Sequence, residues 1–438
     1  QNKRVGPIRG RHPWVFSGAL LNIPEKLESG TPVQLVDEQG NFLAQGYFNS
    51  YSQIAVRVWS WDVEEIINAE FFEKRIKTAY EIRKNFVASK NTDSYRLVNS
   101  ENDLLPGLIV DKYADCLSVQ FHTQGIGHWK KEIVEALIKV VKPKGIFERS
   151  DVGNRAKESS VMQSHAVTPT SIVIPTNTVI PTEVEGSLKV QTSRDFSTPL
   201  HSARNDNQKS NVGLLYGKVP AKIKIMENGL KFLVDVAGGQ KTGFFLDQRD
   251  KRAALIKYVK GKNVLNCFSY TGGFSVYALE GGAKKVTSVD VSESALLIAE
   301  ENVLLNKFEP KKADFLQADV KVYLNDLVNG AASEKFDVII LDPPAFIKDR
   351  HKIKEGIQGY RRINEMAMKL LPPGGILVSA SCSAHLSLPD FRYMLSESAG
   401  RAGRTLQILE TFTHGIDHPE LVAFTEGEYL KCVFAIVR

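Results

Sequence analysis

Two strand ends carry the residues of this 438-residue chain best suited to chemistry. One is Ser379-Ala380-Ser381-Cys382-Ser383, where a cysteine follows an apolar run; the other is Leu341-Asp342-Pro343-Pro344-Ala345, an acid followed by two prolines. Prolines fix an extended backbone without N–H groups, so this turn presents carbonyls and the Asp342 carboxylate to a flat partner. A lone cysteine is commonly an inert core residue; beside such a turn it reads as a nucleophile. The chemistry that needs a thiol there is specific. Carbon-5 of a pyrimidine is a poor nucleophile toward a sulfonium methyl, but a thiolate added at carbon-6 turns the ring into an enamine whose carbon-5 can attack. Asp342, hydrogen-bonded to N3 or protonating it, would stabilise the charge that develops. Methylation of an exocyclic amine or a ring nitrogen needs no adduct and would leave Cys382 idle.

A cofactor site is readable in the strands before these. Val264-Leu265-Asn266-Cys267-Phe268-Ser269-Tyr270-Thr271-Gly272-Gly273-Phe274 is a strand–turn–helix with its glycines late. It lacks the G-x-G-x-x-G spacing that presses bare backbone against a pyrophosphate. The next strand ends in Asp290, placed to accept both ribose hydroxyls, and a third leads to Ala318-Asp319, where a carboxylate or amide can meet an adenine edge. A nucleoside cofactor without a pyrophosphate is implied, and S-adenosylmethionine is the leading candidate. The bland alternative for each acid alone is a helix N-cap; three in register favour the cofactor.

The elements that must position these groups alternate regularly after about residue 232. Apolar strands at 263–266, 286–290, 336–341 and 375–381 interleave with helical stretches at 273–280, 293–306, 320–328 and 359–371, which indicates a doubly wound parallel sheet. Residues 1–66 read instead as short strands, with alternation at 33–36 and 54–59 and with Gly30, Gly40 and Gly46 as turns of a small barrel. Between them, 67–231 reads as an α+β unit with helices near 68–90 and 129–141 and strands near 108–110, 117–121 and 145–148. Within it, 159–209 is rich in Ser, Thr, Pro and Asn and carries the near-repeat Ile172-Val173-Ile174-Pro175-Thr176, Thr178-Val179-Ile180-Pro181-Thr182. That composition cannot bury enough apolar surface to offset its ordering, so a flexible insertion is expected.

Composition narrows the class further. With 43% apolar and 24% charged residues, global disorder and coiled coil are excluded. Four scattered cysteines exclude a disulfide framework and a cysteine-built zinc site, so no metal is expected. No apolar run approaches the ~20 residues of a membrane span and no leader is apparent, which together suit a cytoplasmic location. A net charge of +6 leans toward a polyanionic partner without identifying one.

Longer motifs carry a resemblance. Gly10-Arg11-His12-Pro13-Trp14-Val15-Phe16-Ser17-Gly18-Ala19 resembles the opening of a PUA RNA-binding domain. Tyr95-Arg96-Leu97-Val98, Leu104-Leu105-Pro106-Gly107-Leu108 and Glu148-Arg149-Ser150-Asp151 are similar to the middle domain of one methyltransferase family. Lys241-Thr242-Gly243-Phe244-Phe245-Leu246-Asp247-Gln248-Arg249 and the 264–274 turn resemble its most specific signatures. That family is the large-subunit ribosomal RNA cytosine-5 methyltransferase I type. The resemblance implies a PUA barrel, an α+β middle domain and a Rossmann-like S-adenosylmethionine domain acting on a cytosine of 23S ribosomal RNA, naked or partly assembled, with a homodimer as one oligomeric option. It implies that Asn266, Phe268, Tyr270, Thr271 and Gly272 hold the methionine part of the cofactor, Asp290 the ribose and Asp319 the adenine. Gln248 and Arg249 would border the cofactor, Cys382 would be the nucleophile, and Asp342 would line the base pocket. Many RNA cytosine-5 enzymes carry a second cysteine two residues after the first proline of the strand-four turn; here that slot is Ala345. For RNA contact, Lys3, Arg9 and Arg11 are expected to neutralise phosphates and Trp14 to stack on a base. Two rivals are an rRNA guanine methyltransferase that does not use Cys382 and an RNA-binding assembly factor without activity.

Overall fold

The computed structural model describes residues 5–23, 27–150, 188–191, 212–239, 242–330, 334–347 and 349–438. The N-terminal unit is a six-stranded sheet in the order Trp14–Phe16, Ile54–Ser60, Phe42–Phe48, Pro32–Val36, Leu188–Gln191, Leu20–Asn22. The two-residue period seen in the sequence buries Val33, Leu35, Val56 and Val58 on one core with Ile8 and Val15. Gly30 and Gly40 turn the chain at positive φ (94° and 85°). Gly46 does not: it lies inside a strand, where a Cβ would stand 2.0 Å from the Arg57 carbonyl oxygen, so the glycine permits close approach rather than a turn. Leu188–Gln191 falls within the expected flexible insertion yet pairs antiparallel with Pro32–Val36, Lys189 opposite Val36. The expectation for the rest of 159–209 lies outside the described residues.

The middle unit draws strands from both sides of that segment. Its sheet runs Val212–Gly217, Gly145–Arg149, Cys116–Phe121, Leu108–Tyr113, Tyr95–Asn99. Two helices cover it, Ala69–Phe86 and Lys130–Val141, the first capped by the Asn68 side chain accepting from Phe71 N at 2.9 Å. Phe72 and Ile76 at helical spacing meet Leu97, Val110 and Leu137, and Trp59 of the N-terminal unit is buried in the same core.

The C-terminal unit supplies seven strands: β1 (Asn263–Cys267), β2 (Lys285–Asp290), β3 (Ala313–Gln317), β4 (Val338–Leu341), β5 (Ile376–Ser381), β6 (Leu406–Phe412) and β7 (Lys431–Val437). They lie in the order β3-β2-β1-β4-β5-β7-β6, the first five parallel and β7 antiparallel to both neighbours. Helices on both faces make the strands continuously apolar; all four residues of β4 are fully buried. This is the Rossmann-like doubly wound sheet expected from the alternation. The antiparallel pair β6–β7 and the helix Leu388–Ala402 extend beyond the expected alternation, although Ser387 caps that helix, Phe391, Met394 and Leu395 recur at helical spacing, and 432–437 is an apolar run.

Residues 413–430, between β6 and β7, tie the units together. Asp417 sits at the centre of the strap, buried, with its carboxylate accepting from Arg96 N (3.0 Å), Arg249 Nη2 (3.2 Å) and pairing with His418 Nδ1 (3.1 Å). Its backbone oxygen accepts from Arg83 Nη2 at 3.0 Å. Further along, the Phe424 ring meets Trp14 with centroids 4.8 Å apart, and Glu426 pairs with His12 at 3.1 Å.

Candidate active site

Because β1 to β5 are parallel and in register, their carboxyl ends form one edge: Cys267 stands opposite Val289 and Leu341, and Leu341 opposite Ser379. A cavity of about 730 Å³ opens along that edge, lined among others by Phe268, Tyr270, Thr271, Asp290, Asp319, Gln248, Asp342 and Cys382. Three strand spacings, roughly 14 Å, separate the acid after β2 from the thiol after β5. An adenosine with an extended side arm bridges that distance.

The turn after β1 is held in an unusual backbone. Phe268 and Tyr270 have positive φ (58° and 47°), alternating with ordinary residues before Gly272 at 73°. Left-handed non-glycine residues cost about 1–3 kcal/mol each, and such strain clusters at ligand sites. Gly272 is required: a Cβ there would lie 2.8 Å from Ala299 Cβ. Asp290 anchors the turn by accepting from Tyr270 N (2.8 Å) and Ser292 N (2.9 Å). Asp319 N-caps the helix Val320–Val328 and still faces the cavity.

Several polar atoms on this wall are buried and without a hydrogen-bond partner: Gln248 Oε1, Ser269 Oγ and Thr271 Oγ1. A buried polar group left unmade costs about 1–3 kcal/mol, so these atoms fit a polar ligand. Four carboxylates (Asp247, Asp290, Asp319, Asp342) face two cations (Arg252, Lys321) around the cavity. A ligand carrying positive charge, as a sulfonium with an α-amino group does, suits that balance.

At the other end, Cys382 is half-buried, its Sγ 3.9 Å from the Pro343 carbonyl oxygen. Asp342 Oδ1 accepts from Gln248 Nε2 at 2.9 Å. The remaining thiols differ in kind. Cys267 and Cys432 are fully enclosed within β1 and β7, and burial pushes both well above the ordinary thiol range; burial also raises Cys116. Ala345 lines the cavity two residues after Pro343, so no thiol stands at that slot.

Three expected residues are placed differently. Arg249 points away from the cavity: it is buried and donates to Ser94 O (2.7 Å) and Asp417, because the helix Arg249–Leu255 turns its first side chain to the side opposite Gln248. Asn266 lies behind the turn, donating to Ser275 Oγ at 2.8 Å, and supports the wall rather than forming it. Gly272 likewise shapes the turn from behind.

The expected RNA contacts divide in the same way. Trp14 donates to Glu101 Oε1 at 2.8 Å and packs on Phe424, so the indole is spent on joining the units. Arg9 is mostly exposed, 3.5 Å from Asp37, and Arg11 lies over the Trp61 ring. Lys3 is outside the described residues.

Sequence reasoning passed over three groups at the site. Tyr429, just before β7, donates to Asp247 Oδ2 at 2.6 Å, and both line the cavity. Lys431 is buried beside the Cys382 segment, and burial, against Glu428 and Cys382, pushes its ammonium down to about 8. A lysine opening the apolar run 431–437 was the available signal for the last of these.

Residues 199–430 match the S-adenosylmethionine-dependent methyltransferase family, and residues 1–61 match the PUA-like domain family. Over 433 residues the chain is 40% identical to the ribosomal RNA large subunit methyltransferase I of Tolumonas auensis, covering 98% of this chain and 96% of that protein. The chain belongs to the ribosomal RNA large subunit methyltransferase I family. The family member of an Enterobacter species is 38% identical over 421 residues, with 96% and 94% coverage. In fold, this methyltransferase is similar to a Streptococcus mutans protein described as a SAM-dependent methyltransferase (22% identity, TM-score 0.76, 99% of this chain and 97% of that one). A methyltransferase solved with SAH shows the same likeness at 23% identity and TM-score 0.76, covering 99% of this chain and 97% of that one. S-adenosylmethionine is thus the cofactor of this methyltransferase, and the orphaned polar atoms and acidic lining of its cavity fit that molecule. No helix among the described residues is long and apolar enough to cross a membrane.

Proposed function

We propose that this methyltransferase modifies carbon-5 of a cytosine in 23S ribosomal RNA through a transient bond between Cys382 and carbon-6 of the base. The observation that carries it is the half-buried Cys382 thiol on the wall of the cofactor cavity, against the Asp342-Pro343-Pro344 turn. The named activity of relatives at 38–40% identity supports ribosomal RNA as substrate. Every group invoked comes from one chain, so no homodimer is needed.

The side chains divide the work. Asp290 holds the ribose hydroxyls, Asp319 meets the adenine, and the 268–271 turn with Gln248 receives the methionine end. Bound there, S-adenosylmethionine supplies an electrophilic methyl group, which carbon-5 accepts. The Cys382 thiolate adds to carbon-6, its electron pair forming the S–C bond while the ring π electrons move toward carbon-5 and N3. Asp342, oriented by Gln248, gives a proton to N3 as that charge develops, accepts from the N4 amino group, and takes the N3 proton back when the thiolate leaves. Carbon-5 then gives its proton to a carboxylate or water in the cavity, and the S–C bond breaks to return the thiolate. Cys267 and Cys432 are enclosed in the sheet, so release proceeds without a second thiol. The target base must leave its stack to reach a thiol in a crevice, which favours naked or partly assembled RNA.

RNA carrying 5-fluorocytosine tests the adduct: fluorine cannot leave as a cation, so a covalent protein–RNA complex should accumulate with cofactor present. Its absence, with methylation of ordinary RNA intact, would favour a guanine or amine target. RNA binding without cofactor binding in calorimetry would instead favour an inactive assembly factor. A second expected result concerns the cofactor. Asp290→Ala should raise the dissociation constant for S-adenosylmethionine about 10- to 100-fold, since hydrogen bonds to a charged acceptor contribute about 1.5–3 kcal/mol. An unchanged constant would remove Asp290 from the site.

A further inference from the structure

The segment that bears the nucleophile has no regular structure of its own. β5 ends at Ser381 and the next helix, Leu388–Ala402, starts only after its cap at Ser387. Side chains must therefore hold the intervening loop. Lys431, the first residue of β7, lies opposite Ser381 in the antiparallel register, and it is 2% exposed. Its Nζ donates to the carbonyl oxygens of Ser383 (2.7 Å) and Leu386 (2.5 Å), bracketing the loop from both ends. On the same loop, Ser383 Oγ lies 2.9 Å from Tyr360 Oη and accepts from Ile347 N at 3.2 Å, which ties it to the segment after Asp342.

Bringing an ammonium out of water costs several kcal/mol, and two neutral carbonyls offset only part of it. A neutral side chain could pin such a loop at lower cost. The charge therefore points to a neighbour that gains from it, and the Cys382 sulfur is in electrostatic reach. Among the described residues, Tyr360 on the helix Ile353–Leu370 is also within electrostatic reach of that sulfur, Asp342 lines the same cavity, and Glu428 before β7 faces Lys431.

We infer that Lys431 is a positioning residue for the nucleophile: its ammonium clamps the loop after Cys382 into the cavity wall and stabilises that sulfur as a thiolate. The inference rests on the proposed role of Cys382. Lys431 stays protonated at neutral pH, where it acts as a charge and not as a base; the thiol proton passes to water before the S–C bond forms. A nearby cation favours the thiolate over the thiol.

The test is alkylation of Cys382 by iodoacetamide across a pH series, read by mass spectrometry of its peptide in the full-length protein. Wild type should show a midpoint below the ordinary thiol value of about 8.5. Lys431→Met should raise that midpoint by about one pH unit, a tenfold loss of thiolate at neutral pH. Lys431→Arg, which keeps charge and donors, should stay within a few-fold of wild type. Cofactor affinity by calorimetry reports on folding in each variant. A wild-type midpoint at or above 8.5, or a Lys431→Met protein with wild-type cofactor affinity and an unshifted midpoint, overturns the inference. Should Lys431→Met fail to fold, the wild-type midpoint and the arginine variant decide. No RNA is present, so the result is separable from the adduct chemistry. A shifted midpoint with no 5-fluorocytosine adduct in wild type sinks only the nucleophile. An adduct with no shift sinks only the role of Lys431.

Discussion

Cys382→Ala is expected to lower methyl transfer to ribosomal RNA by at least about a thousandfold, with cofactor affinity within twofold of wild type. The size follows from what the thiol does. Without addition at carbon-6, carbon-5 has too little electron density to displace a sulfonium methyl, and removing the nucleophile in covalent catalysis commonly costs between about 10³- and 10⁶-fold. The geometry isolates the effect. Cys382 lies after β5, whereas Asp290 and Asp319, the acids proposed for ribose and adenine, lie at the end of β2 and after β3, so removing one Sγ atom leaves those acids in place. Cys382→Ser should be nearly as inactive, because a hydroxyl is far less ionised than a thiol at neutral pH. The measurement is transfer of labelled methyl to large-subunit RNA from cells lacking the protein. A wild-type rate in either variant would end the covalent mechanism and direct attention to the guanine alternative.

The largest expected effect on stability lies away from the cavity. Asp417→Ala should destabilise the protein by about 3–5 kcal/mol in denaturant unfolding, the cost of leaving buried charge unpaired. Arg249 would keep Glu227 at 3.4 Å but lose Asp417, and the backbone N–H of Arg96 would lose its acceptor. Burial pushes the Asp417 carboxyl up, but His418, Arg249 and the Arg96 N–H outweigh it and hold it below the usual carboxylate range. The folded pKa is therefore below the unfolded one. The stabilisation is fully present above the unfolded value of about 4 and declines as pH falls below it, because the unfolded chain then binds the proton first. Asp417→Asn should flatten part of that acid decline. A neutral substitution that left both the free energy and its acid slope unchanged would show that the clamp carries little.

What was legible in the sequence was what is encoded locally. The strands β1, β2, β4 and β5 announce themselves as short apolar runs, and in a parallel sheet their carboxyl ends converge; Asp290, Asp342 and Cys382 could be placed from that alone. What escaped depends on pairing between distant segments. Tyr429 and Asp247 are 182 residues apart, and no periodicity shows that they touch. Lys431 reaches the Cys382 loop only because β7 runs antiparallel beside β5. Arg249 and Gln248 are adjacent in sequence, yet one turn of backbone sends one to the cavity and the other to a buried ion pair. Trp14 looked like a stacking platform because an aromatic among cations has that composition; its partners Glu101 and Phe424 come from elsewhere in the chain.

The strap at 413–430 makes the catalytic unit hard to transplant. An engineer who cut the chain near residue 232 to obtain a minimal methyltransferase would remove Arg83 and Arg96 from Asp417, and Trp14 from Phe424. The fragment would present an open charged socket to solvent on the same stretch of chain that delivers Tyr429 and Leu430 to the cavity. The middle unit could be exchanged in this scaffold only if the replacement brought its own arginines to that socket, so the middle and catalytic units are separable only as a pair.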